Sequence, residues 1–136
     1  RQSIEHGDGE WEARIIAAHH RLRRMKLTAP ENPKRLSDAW ETIHQDFHAA
    51  LISACRSRWL IQFHHQLAEQ STRYRRLAIN FANSKRDIAG EHEEIVEAVL
   101  ARDADRVCRL IKAHFARTTD IVLGDADAKP PARAKR

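Results

Sequence analysis

Residues 37–55 read SDAWETIHQDFHAALISAC, and the spacing of their apolar side chains decides the fold class. Trp40, Ile43, Phe47, Leu51, Ile52 and Cys55 recur every three or four residues, the period of a helix with one buried face. Ser37 stands at the N-cap position, where a hydroxyl accepts from one of the first unpaired backbone N–H groups. The same face carries His44 and His48, four residues apart and so on one side of the helix. A buried imidazole needs a partner at both ring nitrogens, and each one left unmet costs about 1–3 kcal/mol.

Upstream, residues 1–6 read as the tail of a helix broken at Gly7-Asp8-Gly9. Asp8 then caps a helix from about Glu10 to Met25, with Trp11, Ile15, Ala18, His19, Leu22 and Met25 on one face. Pro30 and Pro33 mark a loop over 27–36. Downstream, a long helix from about Trp59 to Phe81 carries Leu60, Phe63, Leu67, Tyr74, Leu77, Ala78 and Phe81 as its stripe. Ser84-Lys85-Arg86-Asp87 resembles a capping box and opens a helix to about Ala101, with Ile88, Ile95, Val96, Val99 and Leu100 inward. Asp103 caps the last helix, to about Leu123, whose stripe is Val107, Leu110, Ile111, Phe115, Thr118, Ile121 and Val122. No strand pattern, internal repeat or glycine-rich phosphate loop is evident. The expected fold is an all-α helix bundle.

Bulk properties agree. The 136 residues suffice for one core, and 42% apolar against 32% charged suits helices with one wet face. Four glycines and four prolines argue against a sandwich or barrel. The net charge of +5 is misleading, because Lys129, Arg133, Lys135 and Arg136 sit in the acid-free stretch 128–136. Without them 20 basic residues face 19 acidic ones over residues 1–127, and the folded body, taken as 1–124, has no electrostatic footprint for nucleic acid. Residues 125–136, with Pro130-Pro131, read as a disordered basic tail. Cys55 and Cys108 read as core residues of a reduced, cytoplasmic protein. No apolar run reaches the ~18 residues of a membrane span, and no signal peptide is visible. Arg1 stands inside a helical pattern with no initiator Met, so the chain reads as a fragment.

The histidines carry the chemistry. His92 lies four after Ile88 and three before Ile95; His114 lies three after Ile111 and four before Thr118. Three separate helices thus interrupt their core stripes with histidine. Imidazoles converging from them satisfy one another by holding a divalent metal. The plainer reading, a satisfied core histidine, fits His19 and His64, which lack a partner at ligand spacing. Enzyme motifs fail on particulars. Glu41-Thr42-Ile43-His44 matches one ExxH element of a di-iron bundle without its second copy. His92-Glu93-Glu94 lacks the second histidine of HExxH, and Asp46 points away from the His44–His48 face.

The stretch from Ile43 to Cys55 resembles the FHxxL segment of the FCD domain, the C-terminal effector domain of GntR-family transcription regulators. Glu91-His92-Glu93-Glu94-Ile95 through Val99, then Arg102-Asp103 and His114, resembles that family's EHxxI…A…RD…H ending. Residues 5–22, with Gly7-Asp8 and Trp11-Glu12-Ala13, are similar to the branch that includes the carbon-starvation-induced regulator. The resemblance implies an antiparallel bundle of six to seven helices around a central ligand cavity, its first helix truncated here. It implies a divalent transition metal, zinc or nickel foremost, on His48, His92 and His114. The family's aspartate position is occupied here by His44, a departure that makes the donor set softer and less charged.

A small organic acid, a glutarate-like dicarboxylate or a hydroxy acid, is the implied effector; Arg75 at the stripe's edge is the candidate anchor, the alternative being a solvated charge like Arg73 and Arg76. The resemblance further implies a homodimer, and operator DNA bound only through a winged-helix domain absent from this chain. No membrane contact and no enzymatic activity are expected. Two other readings stay open: a metal-dependent enzyme on a helical bundle, with Glu91 as its acid or base, and a metal-free dimerisation bundle.

Overall fold

The computed structural model describes residues 1–77 and 86–128. Six helices and one small hairpin make up these residues: α1 (Gln2–His6), α2 (Gly9–Arg23), β1 (Thr28–Ala29), β2 (Asn32–Leu36), α3 (Asp38–Ile52), α4 (Arg58–Leu77), α5 (Ile88–Leu100) and α6 (Ala104–Ala128). The all-α bundle expected from periodicity is the observed fold.

The helices α2, α3 and α5 start on the caps their sequence supplies. Asp8 accepts from the Trp11 N–H at 2.8 Å, the Ser37 hydroxyl from Trp40 at 3.2 Å, and Asp87 from Gly90 at 2.8 Å. At Gly90 a Cβ would fall 2.3 Å from the Asp87 carboxylate, so a side chain there would make the capping carboxylate shift. Ser84 and Lys85 of the expected capping box lie outside the described residues, as do Ala78 and Phe81 of the long stripe and residues 129–136 of the tail. Residues 125–128 belong to α6, which runs past the expected stop at Leu123.

The core forms where α2 lies on α3 and α5 packs against α2 and α6. Trp11, Ile15, Phe47, Ile95 and Ala98 are fully buried there, and the Trp11 indole N–H donates to the Ala50 carbonyl at 3.0 Å. Arg102 turns the chain between α5 and α6 in the left-handed region, φ 56°. Its guanidinium donates to the Ile4 and Gly7 carbonyls at 2.8 Å each, pairs with Glu12 and lies over the Trp11 ring. One side chain therefore ties the end of α1 to the α5–α6 corner.

Three expectations need correction. The loop over 27–36 contains the antiparallel β1–β2 hairpin, turned by Pro30-Glu31 between the paired Ala29 and Asn32. Its strands are too short for alternation to register, and Pro33 is tolerated because a two-stranded ribbon consists only of edges. The α4 stripe is not interior: Trp59, Leu60, Phe63, Leu67 and Tyr74 are 54–70% exposed, and Leu100 and Phe115 are also exposed. The face of α4 turned inward instead carries buried Thr72 and Arg75. Finally, Cys55 and Cys108 are half-buried rather than core, and the Cys55 thiol donates to Gln2.

Candidate metal centre

The four stripe histidines meet. α3 contributes His44 and His48, α5 His92 and α6 His114, all buried, with one donor atom from each within 4.8 Å of all the others. His44 Nε2 and His48 Nε2 stand 3.1 Å apart. Ring centroids are 4.8 Å apart for His92–His114, 5.1 Å for His44–His92 and 5.1 Å for His48–His114. Trp40 stacks on His44 at 4.4 Å, and Phe47 meets the His48 and His92 rings edge-on, so aromatic packing restricts their rotation. The local cause is the helical period, which places each histidine in a slot the core claims.

Burial dominates their chemistry. It pushes His44 and His48 below the ordinary imidazole value, His48 further through its histidine neighbours, and pushes His92 far below it. His114 is lowered to about 4 by burial, against the pull of Glu91. All four are therefore neutral at pH 7 and offer lone pairs, the form in which imidazole binds a metal. His92 Nε2 is buried with no hydrogen-bond partner, an expense that ligation through that atom would relieve; His44 Nδ1, also without one, faces Glu41 behind the ring. Donors around one ion with bonds of about 2.1 Å stand roughly 3–4.2 Å apart, so the observed spread needs only a small closure. The residues fit a soft or borderline divalent ion.

Carboxylates stand behind two of the rings. Glu91 Oε2 lies 2.9 Å from His114 Nδ1 and is held by Arg86 and Arg117. Burial pushes the Glu91 carboxyl up, and its hydrogen bonds with Arg86 and His114 more than offset this, leaving it at about 2. Glu41, almost fully buried, lies 3.9 Å from His44 Nδ1, too far for a hydrogen bond, and is clasped by the Arg75 guanidinium through Nε and Nη2. Burial raises Glu41 too, yet His44 and Arg75 hold it at about 2.

Arg75 is buried as well, and Thr72 and Ser71 also accept from its guanidinium. It lines a cavity of about 430 Å³ together with His44, His48, His64, Leu67 and Thr118. The structure thus brings Arg75 to the same cavity as two of the four histidines, although its fork is already paired. His19 and His64 fall outside the cluster. Sequence reasoning missed Glu41 and Arg86 as parts of the site. Glu41 had a legible signal, three before His44 on the same face; Arg86 precedes α5 and had none.

The chain matches the FCD domain over residues 1–117. It is 39% identical over 122 residues to the uncharacterized HTH-type transcriptional regulator BphR of Paraburkholderia xenovorans, covering 90% of this chain and 50% of that protein. It is 32% identical over 127 residues to the HTH-type transcriptional repressor GlaR of Escherichia coli, covering 88% of this chain and 56% of that protein. The chain spans about half the length of these curated relatives. No solved structure matched it. On the match over residues 1–117, reinforced by both relatives, the chain belongs to the FCD domain family.

Proposed function

We propose that this chain is the ligand-sensing domain of a bacterial transcription regulator, in which His44, His48, His92 and His114 hold a divalent transition metal, zinc or nickel. The observation that carries the reading is the meeting of four buried, neutral imidazoles from three helices, two of which, His44 and His48, line a cavity. When bound, the ion would supply a Lewis-acidic point for a carboxylate oxygen. The chain's own part is to hold the rings, exclude water with Trp40 and Phe47, and present Arg75 to the other end of a small organic acid. A dicarboxylate or hydroxy acid suits that pairing, and about 430 Å³ lies in the usual range for small-molecule sites.

Sensing rather than catalysis is favoured because both nearby carboxylates, Glu41 and Glu91, are committed to arginines and depressed to about 2, so neither is poised as a base near neutral pH. Among the described residues no helix is long and apolar enough to cross a membrane. A cytoplasmic homodimer, with operator contacts made by an HTH domain of the kind named in the relatives, completes the reading; molar mass in solution checks the dimer, and a persistent monomer would overturn it.

Elemental mass spectrometry on untagged protein tests the centre. About one transition metal per chain, absent from His48→Ala, is the expected result. Protein that carries none and takes up none on reconstitution overturns it. Loaded protein then enters a thermal-shift screen of short mono- and dicarboxylates, where a shift confined to the loaded form is expected.

A further inference from the structure

One ring nitrogen in the cluster has two claimants. His114 Nδ1 lies 2.9 Å from Glu91 Oε2 and 3.0 Å from Arg86 Nη2. A neutral imidazole carries a single N–H, so Nδ1 either donates to the carboxylate or accepts from the guanidinium. The two contacts select opposite tautomers. Donation to Glu91 leaves a lone pair on Nε2. Acceptance from Arg86 moves the ring proton to Nε2, which then has no lone pair for an ion.

Both claimants are well anchored. Arg86 also donates to Thr118 Oγ1 through Nη1 and to Glu91 Oε1 through Nε, at 2.8 Å each. The two hydrogens of Nη2 are shared among three acceptors, Glu91 Oε2, the His114 carbonyl at 2.8 Å and His114 Nδ1. Glu91 keeps Arg117 at 2.9 Å as a second partner. Arg86 can therefore lose the Nδ1 contact and keep the rest of its bonds, while Glu91 can orient the ring without Arg86. Arg86 also adjoins Asp87, the N-cap of α5, so the helix that carries His92 begins two residues beyond the competing donor.

We propose that Glu91 and Arg86 set the tautomer of His114: Glu91 is the positioning residue that makes Nε2 a ligand, and Arg86 holds the ring in the form that is not one. Metal occupancy and the Arg86–Nδ1 contact then exclude each other. Loading shifts Arg86 onto its remaining acceptors, and the centre is coupled to the entry of α5. This rests on the metal reading above, but the tautomer itself is measurable in metal-free protein.

The experiment is nitrogen-15 NMR of the His114 ring in metal-free protein, paired with Zn²⁺ affinity from competition with a chelating dye. Glu91→Gln should place the ring proton on Nε2 and weaken Zn²⁺ binding ~10–100-fold, the usual cost of losing an outer partner of a ligating histidine. Arg86→Met should place it on Nδ1 and leave Zn²⁺ affinity equal to or above that of wild type, with Arg117 still holding Glu91. A His114 tautomer indifferent to both substitutions, or Glu91→Gln protein binding Zn²⁺ like wild type, overturns the proposal. If the tautomers respond as stated while wild type binds neither Zn²⁺ nor Ni²⁺, the selection stands and the metal reading falls.

Discussion

Adding Zn²⁺ or Ni²⁺ to metal-free protein is expected to raise its melting temperature by on the order of 10 °C, and a strong chelator to reverse the gain. Ligand at 100–1,000 times its Kd adds about 2.7–4.1 kcal/mol to the folded state. For a domain of this size each kilocalorie moves the midpoint by roughly 2–8 °C. The metal-free centre is costly for a stated reason: His92 Nε2 is buried without a partner, and ligation at the cluster relieves the crowding of four neutral rings. His92→Ala should melt independently of metal and chelator. A wild-type melting temperature untouched by either would leave a bundle whose histidines merely pack against one another.

Arg75→Ala is expected to cost about 3–5 kcal/mol, because it strands the carboxylate of Glu41 in the interior. Glu41 is 1% exposed, and Arg75 is its principal cationic partner. The double variant Glu41→Gln with Arg75→Met should recover most of the loss, since neutralising both partners removes the stranded charge. Arg76→Ala, whose ion pair with Asp38 is exposed, should cost at most about 1 kcal/mol. Urea unfolding distinguishes the three, and an Arg75→Ala protein as stable as Arg76→Ala would sink the argument. Arg75→Lys keeps a charge for Glu41 but loses the fork, so acid binding should weaken while metal content is retained.

The same groups make the fold acid-sensitive. Glu41 and Glu91 titrate near 2 when folded, so the stability they contribute is complete above the unfolded value of about 4.5 and drains as pH falls toward 2. The histidines act in the same direction at higher pH. The unfolded chain takes up protons below about 6.5, whereas folded His114 resists them down to about 4. The urea midpoint should therefore drop steadily from pH 7 to 4.5, and a flat profile there would contradict the burial of these rings.

How much of this was legible in the chain follows from the range of each cause. Helix starts, their caps and the inward slots of His44, His48, His92 and His114 are set by residues three or four apart, and the sequence carries them. Helix ends were less legible, α6 running past the expected stop at Leu123. The family resemblance rests on the same local strings. The hairpin at 28–36 escaped because two and five residues are too few for a period of two to register.

Tertiary structure alone decided the rest. Periodicity shows that α4 has an apolar face and a polar one; it does not show which faces inward. The inward face is the one carrying Thr72 and Arg75, because Glu41, 34 positions before Arg75, is buried and needs donors. His114, 23 positions after Glu91 and 28 after Arg86, acquires two competing partners by the same kind of encounter. A local pattern records what a segment offers for burial, whereas a buried charge is settled by whichever distant segment supplies its counter-charge.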